Sequence, residues 1–297
     1  MAQGVSCLVT WGRSLRLSLL PTALADGLAG FAIAGLTEFP TDEKLLLFAS
    51  SACVYHGAMA LNDWADRDKD AAERPDRPIP SGKLKAGHVL LLASALISLG
   101  LGIAFSLDLH LFACMAAIAA AAVAYDLWLR GPLVGPLCLG VCRAMHMAAP
   151  VVWLAPERLR AFWYLPVGYG LYVFTLSRLA RLEEESAEQL GSKPKRLLYL
   201  QALSFSLPLL VAAFSSLLPI SLLAIGGAVL LIKRSVGSKL WTPTRVQASV
   251  GTALRLLLVY SAACALTGVG TYRFTAAVLI LLGYPLAHSL RKVFPPT

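Results

Sequence analysis

Apolar runs of membrane-spanning length follow one another along this chain with little between them, and that pattern decides what it can fold into. The segments 14–36, 43–62, 86–106, 109–128, 132–154 and 159–180 each reach the roughly 20 residues that a bilayer crossing needs. Four more follow at about 196–214, 216–232, 248–268 and 273–290. Only 14% of the 297 residues are charged, against about 25% in soluble domains, so a water-soluble core cannot hide these runs. The expected fold is an all-α polytopic transmembrane bundle of ten helices, or nine if one of the last four lies in the interface. No linker or low-complexity stretch divides the chain, so residues 1–297 read as a single integral-membrane domain.

The net charge of +9 follows membrane topology rather than a nucleic-acid surface. With the N-terminus in the cytoplasm and ten helices threaded, 20 of the 26 Lys and Arg residues fall in cytoplasmic segments. Both termini are then cytoplasmic. Arg13, Arg16 and the apolar stretch after them imitate a signal peptide, but Thr22 and Asp26 interrupt it, and the first helix is expected to be retained. The six cysteines form no CxxC pair and read as helix packing rather than a zinc site or disulfide framework.

Chemistry concentrates in residues 62–85, where an apolar helix runs into Asn62-Asp63-Trp64-Ala65-Asp66-Arg67-Asp68-Lys69-Asp70. At about 100° per residue, Asp63, Asp66 and Asp70 fall within roughly 60° on one face, with Asn62 beside them and Asp68 pointing away. Like charges crowded on one face repel unless a cation gathers them, and Mg²⁺ shared between carboxylates and substrate phosphates suits such a set. Arg74, Arg77, Lys83 and Lys85 follow, spaced by Pro75, Pro78 and Pro80. These prolines predict a stiff, extended loop whose cations clamp a diphosphate.

Asn-Asp-x-x-Asp-x-x-x-Asp followed by Arg-Pro-x-Arg-Pro-Ile-Pro-Ser-Gly resembles the first aspartate-rich motif of the UbiA prenyltransferase superfamily. By that resemblance Asp66 and Asp70 hold Mg²⁺ carrying a prenyl diphosphate. Asn62 and Asp63 complete the site, and Arg74 and Arg77 touch phosphate. The family's helices surround a central cavity that opens laterally to lipid. Leu15-Arg16-Leu17 with Thr22 through Gly30 is similar to its first helix. Tyr125-Asp-Leu-Trp-Leu-Arg130 is similar to its Tyr-to-Lys motif with arginine replacing lysine. Gly135 through His146 resembles its fifth helix, particularly in the EboC-like subgroup.

One departure stands out. Where the family repeats Asp-x-x-x-Asp after helix six, this chain reads Arg178-Leu-Ala-Arg181-Leu-Glu183-Glu184-Glu185-Ser-Ala-Glu188. Glu184 and Glu188, at i and i+4, are the expected substitute metal ligands on one helical face. Glu183 is an equally good register for the first. The alternatives are a solvated helix end, or Arg178 and Arg181 addressing the diphosphate directly with one metal. Asp26 and Arg143 fall near the middle of their helices, where charges usually pair or line a cavity. Both are expected on the polar wall of the substrate cavity, with a structural Asp26–Arg143 pair as the alternative and His146 one turn from Arg143.

The expected activity is an intramembrane prenyltransferase whose site faces the cytoplasm, taking a prenyl diphosphate, a lipophilic acceptor and Mg²⁺. Tyr125, Tyr172 and Phe174 are candidates for shielding the allylic cation. Two alternatives stand beside it: a terpene cyclase of the same family, and a non-catalytic lipid-binding or transport-associated protein.

Overall fold

A computed structural model of the chain describes residues 2–40, 43–214, 218–236 and 240–294, and among them there are helices and no strand. The helices are α1 (Ala2–Ser14), α2 (Leu20–Ile33), α3 (Glu43–Ala65), α4 (Arg67–Glu73), α5 (Ala86–Leu107), α6 (Leu109–Leu127) and α7 (Val134–Leu154). They continue with α8 (Pro156–Phe162), α9 (Tyr164–Arg181), α10 (Ala187–Leu190), α11 (Lys193–Ala213), α12 (Leu218–Val236), α13 (Pro243–Ala265) and α14 (Tyr272–Val293). Eight helices among the described residues are long and apolar enough to cross a membrane, and the bent α1–α2 pair makes a ninth if it counts as one span. The sixth expected span differs. Helix α9 forms over 164–181, but with Arg178 and Arg181 in its last turn it is not among the eight.

Long helices consecutive in the chain pack side by side from α3 and α5 through α13 and α14, and α2 closes the ring by contacting α3, α7, α13 and α14. Small residues let the backbones approach. A Cβ added at Gly140 of α7 would lie 2.5 Å from the Gly170 carbonyl oxygen of α9. Helix α13 is the innermost span, 72% buried over its apolar window, whereas α5 and α14 are 22% buried and present Leu91, Leu99, Phe105 and Leu282 outward. That inversion of a soluble fold is what lipid solvation permits.

The entry to α2 is sharper than the sequence predicts. The chain bends by 57° between α1 and α2, and Arg16 sits at the corner with φ 51° and ψ 46°. A left-handed non-glycine residue costs about 1–2 kcal/mol and needs surrounding structure to hold it. Arg16 is held by polar contacts to α3.

The loop after α4 also departs from expectation. It is not extended: Ser81 N–H donates to the Arg77 carbonyl at 2.9 Å and Leu84 N–H to that of Pro78 at 2.9 Å, closing successive turns. Proline favours the first corner of such turns, and Gly82 takes the positive φ of 73° that one of them needs. Ile79 and Leu84 then pack against Ala60, Leu61 and Val89, which ties the turn to the carboxylate end of α3.

Candidate active site

Helical geometry persists across the boundary between α3 and α4. Asp66 N–H donates to the Asn62 carbonyl at 2.9 Å, Asp70 N–H to that of Asp66 at 2.8 Å, and Arg74 N–H to that of Asp70 at 2.8 Å. Asp63, Asp66 and Asp70 therefore stay on one face, while Asp68 points out with its side chain 87% exposed beside Arg67. Each of the three carboxylates meets a different arginine. Asp63 lies 3.5 Å from Arg16, Asp66 contacts Arg130, and Asp70 accepts from Arg77 at 2.5 Å.

Two participants come from elsewhere in the chain. Arg16 Nη2 donates to Asn62 Oδ1 at 3.0 Å, and Asn62 Nδ2 donates to the buried Asp126 Oδ1 at 2.9 Å. The motif Tyr125 to Arg130 contained Asp126, but only the fold shows its partner, 64 residues away. Arg130 bridges the two halves, because its Nε also donates to the Asp126 carbonyl at 2.8 Å. Among the described residues the buried Asp63 Oδ2 has no hydrogen-bond partner.

Arg16, Asn62 and Asp126 of this cluster lie at one end of a cavity of about 400 Å³, lined by α2, α3, α6, α7, α9, α13 and Arg291 of α14, whereas Asp63, Asp66, Asp70 and Arg130 are outside its lining. Arg16, Asn62, Tyr125 and Asp126 mark the polar end, while Ala58, Ile118, Leu139, Val173 and Leu257 are among the apolar walls. Tyr55 supplies an aromatic face that sequence reasoning missed. Tyr172 is a correction. It is fully buried, donates to the Ala253 carbonyl at 2.7 Å and stacks with Tyr260, away from the cavity. Phe174 also lies outside the lining.

Deeper in the bundle the expected intramembrane charges meet. Arg143 Nη1 lies 3.1 Å from Asp26 Oδ2, and its Nη2 donates to Tyr169 Oη at 2.7 Å. Tyr169 donates to Asp26 Oδ1 at 2.9 Å, and His146 Nδ1 lies 3.2 Å from Asp26 Oδ2 while its Nε2 contacts Ser51. Arg143 and His146 line the cavity; Asp26 does not. The reading of Asp26 as a wall residue is corrected to one behind the wall, fully enclosed and positioning Arg143 and His146.

The region after α9 needs a larger correction. Glu184 and Glu188 do not share a helical face. A 3₁₀ turn, Leu182–Glu184, ends the helix, Glu185 is extended at φ −84° and ψ 144°, and α10 restarts after Ser186. The Ser186–Gln189 capping box drives that restart, a signal present in the sequence. Glu184 instead reaches the first motif, 3.7 Å from Arg74 and 3.9 Å from Lys69, while Glu188 is exposed. Half-buried Glu183 sits near Arg74; burial pushes its carboxyl upward, and Arg74 opposes that shift. Lys83 is exposed and Arg178 half-buried, both outside the cavity lining, and Arg181 donates to the Arg130 and Gly131 carbonyls.

The profile of the UbiA prenyltransferase family matches residues 19–242. A digeranylgeranylglyceryl phosphate synthase of Methanothrix thermoacetophila is 26% identical over 171 residues, covering 57% of this chain and 60% of that protein. A second, of Methanosarcina barkeri, is 39% identical over 71 residues, covering 24% of this chain and 25% of that protein. The chain thus spans less than two thirds of the length of these relatives. Among solved structures, a UbiA homologue of Aeropyrum pernix superposes with a TM-score of 0.66 at 18% identity, covering 82% of this chain and 96% of that one. A UbiA homologue of Archaeoglobus fulgidus bound to GPP and Mg²⁺ gives 0.58 at 17% identity, covering 86% and 99%.

Proposed function

The chain belongs to the UbiA prenyltransferase family, and from that premise we propose that it transfers a prenyl group from a prenyl diphosphate to a lipophilic acceptor inside the membrane. One observation carries the proposal: Arg16, Asn62 and Asp126 line the polar end of a largely apolar cavity and are tied there to Asp63 through Arg16 and to Asp66 through Arg130. Relatives named as digeranylgeranylglyceryl phosphate synthase and chlorophyll synthase support the reaction class.

Among the described residues no three His, Cys, Asp or Glu side chains converge as a metal cage. Mg²⁺ commonly takes one or two carboxylates and completes its shell with substrate phosphates and water. Asp63 Oδ2, unpartnered among the described residues, and the partly exposed Asp66, which is paired with Arg130, are acceptors of the right chemistry. We assign Asp66 and Asp70 as the principal ligands, with Asp63 and Asn62 completing the set and Glu184 on the far side. When bound, the metal neutralises charge on the departing diphosphate.

The remaining work falls to the protein. Arg16, Arg74 and Arg130 are placed to meet diphosphate oxygens by charge-assisted hydrogen bonds, and Arg77 holds Asp70 in place. As the bond from the allylic carbon to the diphosphate oxygen breaks, the faces of Tyr55 and Tyr125 stabilise the carbocation. The apolar walls keep water away from it. The acceptor's nucleophile then forms the new bond and releases its proton.

The test is product analysis. Protein reconstituted with labelled geranyl diphosphate, Mg²⁺ and a host lipid extract is expected to yield a prenylated lipid and free diphosphate. A terpene hydrocarbon or alcohol made from the diphosphate alone would identify a cyclase instead, and no consumption of it would identify a binding protein.

Two further outcomes follow. Glu184→Gln should lower turnover about tenfold, equivalent to about 1.4 kcal/mol, whereas Glu188→Gln should leave kcat/KM unchanged. Equal losses at both would restore a shared site. We also propose that the carboxylate end faces the cytoplasm, because Arg13, Arg67, Lys69, Lys83 and Arg196 belong to segments at that end. Ala72→Cys, on the exposed end of α4, should then react with impermeant maleimide only in inside-out vesicles.

A further inference from the structure

The end of the cavity away from the carboxylates is a polar layer. The lining stops at Thr22 on α2, Val54 on α3, Val173 on α9 and Leu257 on α13. One turn further along these helices stand Asp26, Ser51, Tyr169 and Ser261, all buried. Helix α7 adds Arg143 and His146, which face the cavity from the same layer. Polar side chains from neighbouring spans that meet at one depth of a membrane bundle mark a functional boundary rather than ordinary apolar packing.

These side chains form one connected network. Ser261 Oγ donates to Asp26 Oδ1 at 3.4 Å, beside the contacts of Asp26 with Arg143, Tyr169 and His146. Ser51 joins through His146. The Arg143 guanidinium lies 5.8 Å from the ring centre of Tyr55 and 5.4 Å from that of Tyr169, which holds it across the cavity end. Tyr169 in turn stacks on Tyr260 at 5.2 Å, so packed aromatic rings back the layer. A hydrocarbon chain that passed this floor would part Arg143 from Asp26 and leave two buried charges without their partners.

The space in front of the floor is short. From Asn62 to Val54 on α3, and from Asp126 to Ile118 on α6, the lining covers eight residues, or about 12 Å at 1.5 Å per residue. The cavity volume of about 400 Å³ holds roughly a dozen groups of water size, at about 30 Å³ each. That suits a geranyl chain and not a geranylgeranyl chain, which is twice as long. We propose that the Asp26–Arg143–His146 floor sets the length of prenyl chain the cavity accepts, so that the protein selects geranyl-length diphosphates over geranylgeranyl ones. The idea rests on the prenyl-transfer reading and deepens it to the length of the donor.

Competition binding to the full chain in phosphatidylcholine nanodiscs with Mg²⁺ tests it. The probes are dimethylallyl, geranyl and geranylgeranyl thiolodiphosphates, compared at equal mole fraction in the lipid. Geranyl is expected to bind at least about tenfold more tightly than geranylgeranyl. A cavity open at that end would take both equally, because the added carbons lie in hydrocarbon whether bound or free. Ile118→Phe adds bulk to the last lined turn of α6 and should weaken geranyl binding about tenfold. Dimethylallyl ends short of Ile118, so its retained binding reports an intact fold and an intact diphosphate end. His146→Ala removes a floor side chain and leaves Asp26 to Arg143, Tyr169 and Ser261; it should narrow the gap between geranylgeranyl and geranyl. If that variant does not fold, its dimethylallyl binding is lost as well, and Ile118→Phe decides alone. Equal wild-type affinity for the two long chains, or equal losses of dimethylallyl and geranyl in Ile118→Phe, would overturn the length limit. The two readings fail separately: magnesium-dependent binding without a length preference removes only the limit, whereas no binding at any length removes the prenyl-transfer reading and the limit with it.

Discussion

Asp66→Asn is expected to lower kcat/KM about a thousandfold, or about 4 kcal/mol, with the protein still inserted and folded. The magnitude follows from a double loss. The substitution removes a proposed metal ligand and also releases Arg130, which Asp66 holds across the site beside Asp126. Preorganised charges at a departing group are commonly worth 10²–10³ in rate each, about 2.7–4 kcal/mol. Asp68→Asn is the matched control, since its exposed carboxylate meets only Arg67, and it should change turnover less than about twofold, as exposed pairs contribute little. Equal losses at the two positions would refute the assignment by helical face.

The largest stability effect is expected at the intramembrane network. Asp26→Asn should destabilise the protein by about 3–5 kcal/mol, because removing one partner strands the buried charge of the other. Arg143 would keep Tyr169 and the Thr22 carbonyl but lose its only carboxylate contact among the described residues. Arg143→Leu should cost a similar amount by leaving Asp26 without its guanidinium. The double variant should lose less than the sum of the two, since neither charge is then left alone. Unfolding in bicelles, followed by fluorescence, measures all three. Strict additivity would mean that the pair is not coupled.

What the sequence disclosed and what it concealed follow the range of the interactions involved. The carboxylate face was legible because helical periodicity continues through Asp66 without interruption. The Asp26–Arg143 pair was legible only as the alternative to a shared cavity wall, because ionisable groups in the middle of spans either pair or line a cavity. Arg16–Asn62 and Asn62–Asp126 were not, since their partners lie 46 and 64 residues apart and depend on how α2, α3 and α6 pack. The pairing of Glu184 with Glu188 failed on a local signal. The capping box at Ser186 restarts the chain as α10, and that outweighed the i, i+4 spacing. Residues 74–85 coil into turns because Ile79 and Leu84 find an apolar surface on α3 and α5, which proline content alone does not disclose. Tyr172 likewise found the Tyr260–Phe205 cluster instead of the cavity.

The most direct measurement is calorimetric titration of geranyl thiolodiphosphate, which cannot readily ionise, into reconstituted protein with and without Mg²⁺. The account predicts binding that requires Mg²⁺ and weakens at least about a hundredfold, or about 2.7 kcal/mol, in Asp66→Asn. Binding of equal strength without the metal, or undiminished in that variant, would contradict a metal–diphosphate site built on the end of α3.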